Sequence, residues 1–386
     1  MSMPVPGLGE GRTGRSTLPP TVPPLVNLAT AGLQSMWRAD HQGFAERVRP
    51  AADGDRLVVE GMSRRHTAVA VLGLGTLPVQ AQQEVLAGVS AGELARRLPD
   101  WFDHTGLVRD PGEQALAAWA SAEVGGRPCP STLRRLHTTL SEGAPVPTSE
   151  LAWTACAALA TLSLGTGGRT DRVADALLDD VRARLHHRAG PSGLLPHLAG
   201  AADNRLRAHV GTFADQAFAA LALTRLSVTH RDGASSRLAA SVADRLVASQ
   251  GPAGQWWWHY DVRDGSVLEG YPVFSAHQGG IAPLALLGLT APGGPARETA
   301  VLRGLEWLAD RPESDEALLD DAHGVVWRSV RRREPGRLVR GLTSAASAVR
   351  PGVRLPAVDR AFRAGTVERS CRPDDLGWVL YGWGRR

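Results

Sequence analysis

The chain contains no lysine: all 43 basic residues are arginine, set against 39 acidic ones. With alanine and glycine so frequent, this bias points to a GC-rich genome and strips the isoelectric point, about 9.5, of functional meaning. A net charge of +4 over 386 residues is too dilute to favour a polyanion. The one dense basic run, Arg328 to Arg340, has no interleaved aromatic beyond Trp327. A solvated arginine face is expected there, with no nucleic-acid partner.

Cysteine is scarce as well. Cys129, Cys156 and Cys371 are odd in number and far apart, which argues against a disulfide scaffold or a zinc site built on paired cysteines. No stretch approaches the roughly 18 uninterrupted apolar residues of a membrane span. The first residues lack the apolar segment of a secretory leader, so a cytoplasmic protein is the expectation. The Gly-x-Ser-x-Gly elbow, the Walker loop and the His-Glu-x-x-His motif are all missing. The pair Asp320-Asp321 stands without further ligand spacing, so neither a metal nor a cofactor is implied.

What the sequence does contain is helical periodicity. Residues 1–24, rich in Pro and Gly, read as a flexible tail, and residues 25–386 as one domain. Six segments are small and apolar on nearly every side: 67–77, 114–124, 151–164, 215–226, 279–289 and 376–383. A helix apolar all round is buried all round. Amphipathic helices alternate with them at 80–98, 130–142, 170–188, 234–250 and 296–310, and residues 26–49 supply a sixth. Strand alternation is scarce, the best candidate being 56–60. Six inner and six outer helices predict an all-α fold, a single (α/α)6 barrel, or toroid. A helical solenoid is the alternative, but the irregular spacing and wholly apolar inner set favour closure.

Three connections are long, about 189–210, 251–276 and 312–372, and each runs from an outer helix to the next inner one. A closed barrel gathers them on one face, together with the N-termini of the inner helices, whose dipoles favour anions. On the middle connection, Trp256, Trp257 and Trp258 stand beside His259, Tyr260, Asp261, Glu269, Tyr271, Ser275, His277 and Gln278. Trp256 and Trp258 could plug the core. The company of so many polar groups favours a ligand site, with the rings stacking on a sugar or stabilising a cation.

Asp261 and Asp215 are the candidate acid and base, and His259, Tyr271 and His277 would position hydroxyls. Arg205, His209, Tyr260, Gln278 and Trp327 complete the candidate substrate-binding set. Thr212 with Asp215 also fits a capping box, and His197 reads as a loop histidine held by the backbone. Asp374 and Asp375 read as cap partners of the last inner helix. Arg64, Arg65 and His66 could bind an anion at the first.

The pattern resembles the α/α-toroid enzymes, which divide into a six-hairpin glycosidase-like branch and a terpenoid cyclase and prenyltransferase branch. The stretch Ala248-Ser249-Gln250-Gly251-Pro252-Ala253-Gly254-Gln255-Trp256 is similar to the Gly-x-Trp turns of the second. That branch's Asp-x-Asp-Asp motif and its Asp, Cys and His zinc set are missing, and the length holds one barrel where its cyclases use two. The resemblance therefore implies an enzyme that hydrolyses or epimerises a saccharide or uronic-acid-containing glycan. An isoprenoid cyclase or transferase is the alternative, and a non-catalytic binding scaffold the third reading. The expected partner is a small molecule or oligosaccharide.

Overall fold

The computed structural model describes residues 18–52, 54, 56–103, 110–198, 207–289, 293–310, 312–333, 338–353 and 355–384. The helices in order are α1 Val22–Met36, α2 Arg64–Leu74, α3 Val79–Val85, α4 Ala91–Arg97, α5 Asp100–Asp103, α6 Pro111–Glu123, α7 Pro130–Ser141 and α8 Thr148–Ser163. They continue with α9 Gly168–Arg188, α10 Phe213–His230, α11 Gly233–Ala248, α12 Ala282–Leu286, α13 Gly294–Asp310, α14 Leu338–Val349, α15 Pro356–Ala361 and α16 Pro373–Trp383. A π turn, His277–Ile281, leads into α12.

Each inner helix packs on the next in a closed ring: α2, α6, α8, α10, the π turn with α12, α16, and back to α2. The outer layer is α3 with α4, then α7, α9, α11, α13 and finally α1, which lies against α16. Ring closure is what separates this toroid from a solenoid. The outer helix expected at 26–49 is shorter than anticipated: α1 starts at Val22, inside the stretch read as tail, and ends at Met36. The rest of that stretch forms short strands; the long connections carry further short strands, and the one at 312–372 also holds α14 and α15.

These strands are β1 Trp37–Arg38, β2 Gly43–Phe44, β3 Arg47–Pro50, β4 Leu57–Glu60, β5 Val210–Thr212, β6 His259–Asp261, β7 Val267–Glu269, β8 Val273–Phe274, β9 Leu319–Asp320, β10 Val325–Val326, β11 Ser329–Arg332 and β12 Ala364–Glu368. They pair into five small antiparallel ribbons, the largest being β5-β6-β7 and β12-β11-β8. The arginine run expected to be a solvated face is partly turned inward by β11. Arg332 is 9% exposed and pairs with Glu269 at 3.1 Å.

The ring closes through glycine. A methyl group at Gly377 of α16 would come within 2.7 Å of the Val69 carbonyl oxygen, and one at Gly73 of α2 would strike the Gly377 carbonyl. The two backbones therefore touch. Gly377→Ala should cost about 1–3 kcal/mol, because overpacking forces the helices apart. Urea denaturation measures this, and a variant as stable as the wild type would show slack in the seam.

The barrel axis is filled. Trp119, Trp378 and Tyr381 pack together, with ring centroids 5.5–6.1 Å apart. Below them Arg225 pairs with Glu123 at 3.1 Å and lies over the Trp119 ring at 5.3 Å. Arg225 also donates to the Tyr381 hydroxyl, which donates to Glu123, and Trp119 Nε1 donates to Glu123 at 2.7 Å.

Candidate active site

The long connections are tied to the N-terminal ends of the inner helices. The backbone N–H of Thr148 donates to His197, that of Phe213 to Trp258, that of Ser275 to Arg328 and that of Cys371 to Val48. These ends form the mouth of the barrel. At the third helical position, where an acid complements the helix dipole, stand Glu113 of α6, Glu150 of α8, Asp215 of α10 and Asp375 of α16. Three of them have an aromatic residue one turn further in: Trp153, Phe218 and Trp378. Their rings meet across the barrel, Phe218 4.7 Å from Trp378, Trp153 5.4 Å from Phe218 and 6.4 Å from Trp378. The result is an aromatic floor ringed by carboxyl groups.

The carboxyls differ in environment. Asp215 is wholly buried and accepts from Thr212 N at 2.9 Å, Thr212 Oγ1 at 2.6 Å, Ser149 N at 3.1 Å and His197 Nδ1 at 3.0 Å. Burial opposes its charge, but the His197 and Thr212 hydrogen bonds prevail and hold it below the usual carboxylate range. Glu150 has one strong partner, Arg65 Nη2 at 2.5 Å, while burial pushes its carboxyl upward against that pairing.

Asp375 lies 3.9 Å from Arg328 Nε. Burial, and then its neighbour Asp374, push it up to about 7. Asp374 lies 3.5 Å from His66 Nε2. Trp153 Nε1, His277 Nδ1, Asp374 Oδ1, Asp375 Oδ2 and Arg372 Nε are buried at this mouth without a hydrogen-bond partner among the described residues. Donors and acceptors left over in this way suit a polar ligand. Among those residues no group of three or more His, Cys, Asp or Glu gathers as a metal site.

Asp375 gives a stability test. A folded-state value near 7, above the ordinary 3.8, means the folded chain holds this proton more tightly than the unfolded one. Stability contributed by the group is then lost as pH rises from about 4 to about 7. Asp375→Asn should raise the melting temperature at pH 8 and leave it unchanged near pH 4. Equal melting curves at both pH values would show that the carboxyl ionises normally.

The residues singled out in the sequence divide into two sets. His277 sits at the mouth between Phe213 and Phe274, with centroids 4.8 and 4.9 Å away, and burial with Arg328 nearby pushes it down to about 3. Trp258 packs on Phe274 at 4.9 Å under the Arg340 guanidinium. His259, buried, meets Arg207 at 3.4 Å.

The remainder have structural partners. Asp261 is wholly buried and bound by Arg263 through both carboxylate oxygens, at 2.9 and 2.6 Å, so it organises its own turn. Trp256 and Tyr260 are fully buried core residues. Gln278 accepts from Trp256 N at 3.2 Å. Trp257 packs edge-on to Tyr271, whose hydroxyl donates to Glu313 at 2.6 Å. His209 bonds Ser347 at 2.8 Å, and Trp327 donates to Asp320 at 3.2 Å. Arg205 lies outside the described residues.

Glu150, Trp153 and Trp378 escaped the sequence reading, and Asp375 appeared there only as a cap. The signal that could have found them is the acid followed three residues later by an aromatic, repeated on three inner helices.

No protein-family model matches the chain, and no curated protein matches it by sequence. Among solved structures it is similar to an unsaturated glucuronyl hydrolase specific for heparin, with a TM-score of 0.60 and 13% identity, covering 95% of each chain. It is also similar to an unsaturated glucuronyl hydrolase from Streptococcus agalactiae, with a TM-score of 0.54, 12% identity, and 94% of this chain and 90% of that one covered. A mutant of that protein complexed with dGlcA-GalNAc6S gives a TM-score of 0.55 at 13% identity over the same shares.

The fold is an (α/α)6 toroid, as in these structures.

The toroid is all-α in its body, as the helix alternation predicted, and no described helix is long and apolar enough to cross a membrane. Its mouth carries the three features just described: a floor of three rings, carboxyls in unlike environments, and arginines from several elements.

Proposed function

We propose that this toroid is a glycoside-hydrolysing enzyme for acidic saccharides, working at the mouth of the barrel. The observation that carries the reading is the opposition of Glu150 and Asp375. They stand on α8 and α16, which are diametrically opposed in the inner ring, and their rings one turn below, Trp153 and Trp378, meet between them. A sugar lying on that floor is flanked by a carboxyl on each side, as hydrolysis through an oxocarbenium-like transition state requires. Glu150, raised by burial, serves as the proton donor, and the Asp374-Asp375 pair opposite as the group that draws in water. The inner-helix N-termini with Arg65, Arg328 and Arg372 favour an anionic sugar. The fold likeness to two glucuronyl hydrolases supports the same substrate class.

The isoprenoid reading needs a deep apolar cavity. Here the axis is occupied by Trp119, Trp378, Tyr381 and the Arg225-Glu123 pair, and this disfavours it. The test is release of new reducing ends from neutral and uronic-acid oligosaccharides, beside a thermal-shift screen with prenyl diphosphates. Turnover of an acidic oligosaccharide is expected. Binding without turnover would leave the scaffold reading standing, and stabilisation by prenyl diphosphates alone would favour the isoprenoid one.

A further inference from the structure

His197 is built into the mouth with more care than a loop histidine needs. Its backbone N–H donates to Val210 at 2.8 Å, and its carbonyl accepts the N–H of Thr148, the first residue of α8, at 2.9 Å. Its ring Nδ1 bonds the buried Asp215 carboxylate at 3.0 Å, and that carboxylate also takes the N–H of Ser149 at 3.1 Å. The His197 backbone and the Asp215 carboxylate are thus both clamped to the first turn of α8, which carries Glu150, and the imidazole is held through Asp215. An ionised Asp215 fixes the tautomer: Nδ1 bears the proton, and Nε2 keeps a lone pair on the ring edge away from Asp215. The side chain is 46% exposed, so that edge reaches solvent.

We infer that His197, oriented by Asp215, is the proton relay of this site and returns to Glu150 the proton that each turnover removes. The inference rests on Glu150 being the proton donor. In the step itself, the Glu150 carboxyl gives its proton to the departing glycosidic oxygen as the C–O bond breaks. The water oxygen bonds the sugar carbon, and its proton leaves to solvent from the opposite wall. His197 takes a proton from solvent on Nε2 and passes it to the Glu150 carboxylate, so one water is consumed and the proton count returns to its start.

The charged surroundings agree. Asp215 from α10 and Glu150 from α8 raise the histidine above its ordinary value, against burial and Arg207. Among the described residues, His259 of β6 and Arg188 of α9 also face this dyad.

The test compares wild type, His197→Ala and His197→Asn in the full chain. Asn keeps a donor toward Asp215 but cannot carry a proton. The substrates are hyaluronan oligosaccharides and oligogalacturonides, read by release of reducing ends. Both variants should lose about tenfold or more of kcat with KM little changed, and free imidazole should restore a good part of the rate in the alanine variant alone. Histidine-selective NMR titration adds a readout without substrate: Glu150→Gln should lower the His197 midpoint. Wild-type turnover combined with a His197→Ala variant that is fully active or deaf to imidazole would overturn the relay. Absence of any wild-type turnover would instead overturn the hydrolase reading on which it rests.

Discussion

Glu150→Gln should cost at least about 100-fold in kcat on an acidic oligosaccharide, the loss expected when a general acid is removed. The substitution keeps the shape of the side chain and an oxygen for the Arg65 guanidinium, which also reaches Asp110 at 3.4 Å. The folded structure should therefore survive, with a melting temperature close to that of the wild type. A substrate whose leaving group departs without a proton, such as a nitrophenyl glycoside, should feel the change much less, because the proton was never needed. That contrast is the sharper measurement. Equal losses on both substrates would mean that Glu150 positions the sugar through Arg65, and an unaffected rate on both would remove it from the chemistry.

Arg225→Met should be the most damaging change away from the mouth. Arg225, Glu123 and Tyr381 form a closed set of hydrogen bonds on the barrel axis, and the Glu123 side chain is only 3% exposed. Removing the cation leaves a carboxylate buried without its counter-charge, at a cost of about 3–5 kcal/mol. Replacing both partners with apolar residues of similar size, Arg225→Met with Glu123→Leu, should recover most of the loss, because the buried pair gains little over well-packed hydrocarbon. Urea unfolding of the two single variants and the double variant measures the cycle. A loss below about 1 kcal/mol for Arg225→Met would mean that water reaches the axis to solvate Glu123.

The closed ring of helices was legible because burial on every side leaves a signature no surface helix shares. Leu151 to Leu164 and Asp215 to Leu226 are apolar around the full turn, and each became an inner helix. Apart from β4, expected at 56–60 and found at Leu57–Glu60, the small ribbons were not legible, since strands of two to five residues are too short for alternation to accumulate. At the barrel mouth, several of the side chains that stood out in the sequence are engaged by their own neighbours. Composition drew attention to Trp256, Tyr260 and Asp261, three residues that spend their polar or aromatic character on packing and on Arg263.

Glu150 and Asp375, on which the proposed function rests, gave no distinct signal for a different reason. An acid in the first turn of a helix looks the same in sequence whether it caps the helix or faces a ligand. Asp215 is the case that caps, with four donors on its carboxylate, while Asp375 has an oxygen left over. Trp153 is the one aromatic of α8 and Trp378 shares α16 with Tyr381 and Trp383, and only the ring order shows that the two rings meet.

The glycine contact between α2 and α16 also bears on how the chain folds. Thr76 Oγ1 donates to the Leu380 carbonyl at 3.1 Å, across 304 residues of sequence. Five hairpins can stack on their neighbours through short-range encounters, but this last interface forms only when the two ends of the row find each other. A horseshoe of helices with its final edge exposed is thus the natural precursor of the ring. Its apolar rim, lined by residues that belong against α16, is the surface most in need of a chaperone before closure.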